Sequence, residues 1–109
     1  MTTVRFRYNG GDIAEVTAVG HTGYADEGSD IVCAGVSAVI QSTLLGLLGI
    51  ANVPLTHTVD TKKATISIKL DDDMTEWERH DANILLETLR LAVKDISAGY
   101  PAHVKVEEN

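Results

Sequence analysis

The chain predicts an α+β domain of two layers, with two helices packed on a mostly antiparallel sheet in the order β-β-α-β-β-α-β. Three observations predict it. Segments 3–8 and 64–70 alternate apolar and polar residues with the period of two that marks a half-buried strand. Two longer stretches, beginning near Ile31 and after Thr75, follow good helix caps and are too long for strands. Tight turns at Asn9-Gly10 and near Asp60–Lys63 leave connections that suit antiparallel neighbours.

Taken in order, Val4, Phe6 and Tyr8 share one face of the first strand and Arg5 and Arg7 the other. The second strand, 12–19, sets Ile13, Glu15 and Thr17 against Ala14, Val16 and Ala18. Its mixed faces predict a more central place in the sheet. The first helix is expected over Ile31–Leu48, with Ser29 or Asp30 as N-cap and Pro54 beyond its stop. Ser37 and Gln41 sit one turn apart, while Val36, Ile40, Leu44, Leu47 and Leu48 occupy the rest. So little polar surface predicts burial on two sides, by the sheet and by the second helix or another subunit. Strands follow over 55–60 and 64–70, the latter turning Ile66, Ile68 and Leu70 inward. Thr75 and Glu78 form a capping box for the second helix. Trp77, Leu85, Leu89, Ala92 and Ile96 are its expected core stripe, and Gly99 and Pro101 stop it. Residues 102–107 make the last strand.

Composition narrows the function. At 109 residues, 44% of them hydrophobic, the chain reads as one domain, 1–109, with material for a real core. A net charge of −7 argues against direct nucleic-acid binding, which needs a basic surface, and suits basic partners. The single cysteine excludes an intrachain disulfide and suits a reducing compartment. The opening Met1–Gly11 has no apolar signal core, so a cytoplasmic protein is expected. The span from Ile31 to Val59 carries no charge and reaches membrane-helix hydropathy, but Ser37, Gln41, Ser42, Thr43 and Asn52 favour a buried helix and no membrane.

Residues 20 to 45 carry the chemistry. A glycine-punctuated loop holds His21 and runs into the helix whose first turn holds Cys33. With Asp30 as cap, Cys33 is the third helical residue, where the partial positive charge of the helix start favours the nucleophilic thiolate. The eleven residues 22–32 are long enough to fold the imidazole against the thiol, where it can take the proton. Read from the pattern alone, the default is that Cys33 is an ordinary buried small residue and His21 a loop histidine bonded to backbone.

The run G-H-T-G-Y-A-D-E-G-S-D-I-V-C-A-G-V-S, Gly20 to Ser37, resembles the signature of the ribosomal-processing cysteine protease family, Prp. Gly20, His21, Gly23, Tyr24, Ala25, Gly28, Asp30, Ile31, Val32, Cys33, Ala34, Val36 and Ser37 all match. The resemblance implies an endopeptidase that removes the N-terminal extension of a large-subunit ribosomal protein beside aromatic or bulky apolar residues. It implies Cys33 as nucleophile, His21 as base, and a homodimer. Asp30 and Ser37 are supporting residues, and Gly20, Gly23, Tyr24 and Gly28 form a substrate loop. The amides opening the first helix are expected to bind the oxyanion. No cofactor and no metal are expected: His57, His80 and His103 lie on separate elements, without ligand spacing, and read as surface or strand-edge residues. The alternative is a non-enzymatic ribosome-associated adaptor. Only the protease needs a reachable, nucleophilic sulfur at Cys33. Surplus apolar surface on the first helix places the expected dimer contact near Leu44, Leu45 or Leu48.

Overall fold

The computed structural model describes residues 1–21, 23–26 and 30–109. Strands β1 (Thr2–Asn9) and β2 (Asp12–Val19) precede helix α1 (Ile31–Gly49). Strands β3 (Leu55–Asp60) and β4 (Thr65–Leu70) precede helix α2 (Glu76–Gly99), and β5 (Val104–Glu108) ends the chain. The five strands make one sheet in the order β3-β4-β2-β1-β5. Every neighbouring pair is antiparallel except β1 and β5. That exception follows from connectivity, because α2 carries the chain back across the sheet before β5 begins. The predicted element order and α+β class hold.

The core lies on one face of the sheet. Val4 and Phe6 of β1, Ile68 and Leu70 of β4 and Val104 of β5 are buried against Val36, Ile40 and Leu47 of α1 and Leu86, Leu89 and Val93 of α2. Arg5 and Arg7 point from the opposite face and pair with Glu107 and Glu15. As expected, β2 is the middle strand. Its predicted faces need correcting, because Ile13, Val16 and Ala18 are all buried. Arg7 pairs with Glu15 and Tyr8 with Ile13, so Ala14 is an extra residue. This bulge turns Ile13 to the core side. The Asn83 carboxamide oxygen accepts the Ile13 amide at 3.0 Å.

The core stripe of α2 also differs from expectation. The helix buries Ala82, Leu86, Leu89 and Val93, and leaves Trp77 77% exposed. Adjacent apolar pairs, Leu85-Leu86 and Ala92-Val93, satisfy the same period on two neighbouring stripes. The sheet takes one, and α1 takes the other. Leu85 packs on Gly46, where a Cβ would meet its methyl carbon at 3.4 Å, so the small residue permits the close helix approach. Trp77 sits one turn too early to reach either. The capping box forms as expected, Thr75 accepting from Glu78 N and Glu78 from Thr75 N. Smaller boundary corrections are that Ala64 belongs to the turn, with φ +50°, and that residues 101–103 precede β5.

Helix α1 is long and apolar enough to cross a membrane. Here Val32, Val36, Ile40 and Leu47 pack into the core, which accounts for part of that apolarity.

Ion pairs tie α2 to the last strand. Arg90 bonds Glu87 and Glu108, and Lys94 reaches Glu108 at 3.4 Å. The Arg90 guanidinium, ahead of Lys94, holds the Glu108 carboxyl below the ordinary carboxylate value of 4.5. A carboxyl depressed in the folded state stabilises the fold above its unfolded pKa and loses that contribution as pH falls through the folded value. Glu108→Gln should therefore lower the melting temperature at neutral pH, and lower it less at an acid pH below the folded-state value, where both states are protonated. Solvent screening keeps the effect under about 1 kcal/mol. Equal losses at both pH values in thermal melts would show that the contact acts through shape and not charge.

Candidate active site

Helix α1 starts at Ile31, so Cys33 stands in its first turn, and Asp30 is the cap. One carboxylate oxygen of Asp30 accepts the amides of Val32 and Cys33 at 3.0 and 2.9 Å. The other accepts Tyr24 N at 3.1 Å and Ala25 N at 3.5 Å. One side chain thus ties the loop to the helix that carries the thiol. Of the amides that open the helix, the cap engages those of Val32 and Cys33.

The loop is fixed at a second point. The Tyr24 ring packs edge-on against Tyr100 and His103, with centroids 5.3 and 5.4 Å apart. His103, expected as a surface or strand-edge histidine, directly precedes β5 and is half-buried in this aromatic cluster. Its backbone carbonyl accepts Thr2 N at 2.9 Å, which carries the tie on to β1.

Gly20 sets where His21 leaves the sheet. Its φ is +94°, and a Cβ there would lie 2.5 Å from the Met1 carbonyl oxygen. Its amide donates to Ala64 O at 2.9 Å, and its carbonyl accepts the hydroxyl of Thr2, a residue only 4% exposed, at 2.8 Å. His21 therefore follows a backbone held on both sides, by β1 and by the β3–β4 turn. Gly23 takes φ +71°. Gly28 lies outside the described residues.

His21 and Cys33 line one cleft of about 260 Å³. Ala18, Val36, Ile40 and Ile66 supply its apolar wall. Ser37 and Gln41 line it too, and Gln41 Nε2 donates to the Ser37 hydroxyl at 2.7 Å. Ser37, expected near the thiol, lines the cleft with its hydroxyl bonded to Gln41. The cleft's far side is the β3–β4 hairpin, through Val59, Asp60, Thr61, Ala64 and Thr65. Sequence reasoning assigned none of these hairpin residues, nor Thr2, to the site. No local signal marked them, because strand pairing alone carries residues 59–66 against residues 18–21. Among the described residues, no group of three or more His, Cys, Asp and Glu side chains is placed to hold a metal ion.

A partly exposed cysteine that shares an apolar, solvent-open groove with a histidine suits nucleophilic attack on a polypeptide held in that groove. Comparison with known proteins agrees in class. The family model for the cysteine protease Prp matches residues 1–105. The chain belongs to the cysteine protease Prp family. It is therefore a protease of the cysteine class, and the adaptor alternative falls. Among relatives, the Bacillus subtilis ribosomal processing cysteine protease Prp is 23% identical over 107 residues, covering 98% of this chain and 95% of the relative. The Staphylococcus aureus Prp is 25% identical over 107 residues, covering 97% of each. Crystal structures share the fold. The S. aureus Prp with a covalently linked product peptide superposes with a TM-score of 0.90 at 24% identity, covering 100% of both chains. SMU.848 from Streptococcus mutans superposes at 0.83 with 24% identity, covering 100% of this chain and 96% of the other.

Proposed function

We propose that this member of the Prp family is a cytoplasmic endopeptidase that removes the N-terminal extension of a large-subunit ribosomal protein, with Cys33 as nucleophile and His21 as general base. One observation carries the residue assignment. A cysteine protease with a single cysteine has only Cys33 to use, and Cys33 shares its cleft with His21. The substrate class is supported by the relatives, which are named ribosomal processing proteases, and by the acidic charge of −7, which suits a basic partner.

The chemistry follows from the pair. The His21 imidazole takes the thiol proton, and the sulfur attacks the scissile carbonyl carbon to form a tetrahedral adduct. The imidazolium returns the proton to the leaving amine as the C–N bond breaks, which leaves a thioester on Cys33. A water molecule, deprotonated by the same imidazole, then attacks the thioester. Its collapse frees the carboxylate and restores the thiol. The apolar wall of Ala18, Val36, Ile40 and Ile66 would take a bulky apolar side chain next to the cut bond.

The deciding experiment incubates the purified protein with the extended ribosomal protein encoded in the same genome and reads intact mass. The expected result is one clean loss equal to the extension. An unchanged mass would reject this substrate.

The protease acts as a homodimer in the same reading. Leu45 is 70% exposed on α1, with Leu48, Ile84 and Leu91 also exposed on the helical layer, although α2 already packs beside α1. Leu44 is partly buried against the core, so Leu45 is the better contact. Sedimentation equilibrium at micromolar concentration should give twice 11.7 kDa. Leu45→Glu should give the monomer mass, because a carboxylate buried without a partner is strongly disfavoured. A wild-type mass of one chain would remove the dimer from the reading.

A further inference from the structure

Strand β3 is an unusual neighbour for an active site. It forms one edge of the sheet, and from Thr56 to Asp60 every residue is exposed. The helical layer stops short of it, so even His57 and Val59, whose side chains share a face with the buried Ile68, stand in solvent. Its last residues, Val59 and Asp60, form part of the cleft that holds Cys33 and His21.

The register decides which backbone groups this edge offers. In an antiparallel pair, alternate residues bond the neighbouring strand and the intervening ones point away. Asp71 N donates to Pro54 O at 3.0 Å, and these two residues continue the pairing of Leu55 with Leu70. The bonded positions on β3 are therefore Thr56, Thr58 and Asp60. On the other side of β4, Gly20 N bonds Ala64 O, so Ile66 and Ile68 face β2 and Thr65, Ser67 and Lys69 face β3. Both observations give the same phase. The amides and carbonyls of Leu55, His57 and Val59 point outward from the sheet, in a row that ends at the cleft.

We infer that β3 is a docking strand for the substrate: an extended segment flanking the scissile bond adds to the sheet edge through the backbone of His57 and Val59. This rests on the proposed processing reading and names how that substrate is held. A row of outward amides and carbonyls is satisfied by another strand, and a protease substrate presents such a backbone wherever it lies extended. Val59 belongs both to the cleft wall and to the edge strand, so a segment paired with β3 lies one strand spacing, about 4.8 Å, beyond that wall. Backbone pairing gives affinity with little dependence on side chains, leaving the apolar cleft to choose the bond. Because the bonded side of β3 is separate from the free side, the edge can be blocked without breaking the sheet.

The test uses a peptide spanning the extension and the cut site, with single N-methylated amides introduced in turn on both sides of the scissile bond. Binding to Cys33→Ala protein is read by fluorescence anisotropy, and cleavage by wild type is read by mass. Strand addition predicts that methylation at alternate residues of one flank raises Kd about tenfold, while the residues between have little effect. His57→Pro removes an outward amide at an edge position that tolerates proline, and should raise Kd for the unmodified peptide by a similar factor. His57→Thr keeps that amide and should bind like the parent. A methylation scan without alternation, or equal binding by His57→Pro and His57→Thr, overturns the inference. So does a dimer that His57→Pro converts to monomer, since a second copy would then own the edge. The scan alone decides if His57→Pro fails to fold. Normal cleavage without alternation removes strand addition only, whereas alternating binding without cleavage removes the processing reading only.

Discussion

Cys33→Ala is expected to abolish cleavage, with a loss on the order of a thousandfold or more, and to leave the fold unchanged. Alanine is the best helix former, and Cys33 is itself only partly buried, in a first turn whose cap bonds its backbone amide rather than its sulfur. Cys33→Ser should be nearly as inactive, because a hydroxyl is far harder to deprotonate. His21→Ala should fall to a comparable level, and the double variant should be no worse than either single one, since the two side chains act as a unit. Iodoacetamide should alkylate Cys33 more slowly in His21→Ala than in wild type. Full turnover by Cys33→Ala on the ribosomal-protein substrate would end the residue assignment. An unchanged alkylation rate in His21→Ala would show that the imidazole does not act on the thiol.

Gly20→Ala should be the most damaging single change outside the dyad. Its backbone has φ +94°, and the new Cβ would lie 2.5 Å from a backbone oxygen, Met1 O, which no side-chain rotation can relieve. The strain of the left-handed conformation alone costs about 1–3 kcal/mol, and the clash adds to it. The chain can escape only by giving up the Thr2 hydroxyl bond to Gly20 O or the Gly20 amide bond to Ala64 O. Either movement displaces His21, the next residue. The expected result is a lower melting temperature together with a large loss of kcat in whatever fraction remains folded. A Gly20→Ala protein with wild-type stability and turnover would show that this backbone approach is not needed.

The sequence by itself determined the element order, because each element announces itself within a few residues. Period-two alternation marks β1 and β4, Asn9-Gly10 marks the first turn, and the Thr75–Glu78 box starts α2. It also pointed to the candidate dyad, since Asp30, Cys33 and the loop histidine lie within thirteen residues, in a glycine-punctuated run that resembles the signature of the family to which the chain belongs. Tertiary structure decided whatever needed two distant segments. Ile13 reaches the core only through a bulge opposite β1, which strand pairing imposes. Between two equally periodic stripes, the sheet and α1 divided Leu85 from Leu86 and left Trp77 in solvent. The Val32 and Cys33 amides bond Asp30, whose second carboxylate oxygen takes the Tyr24 amide, a tie that needs the loop folded back on the helix. The hairpin wall of the cleft and the outward row on β3 belong to the same class. They depend on which residues of β4 face β2 and which face β3, and hydrogen-bond phase between strands leaves no trace in the order of side chains.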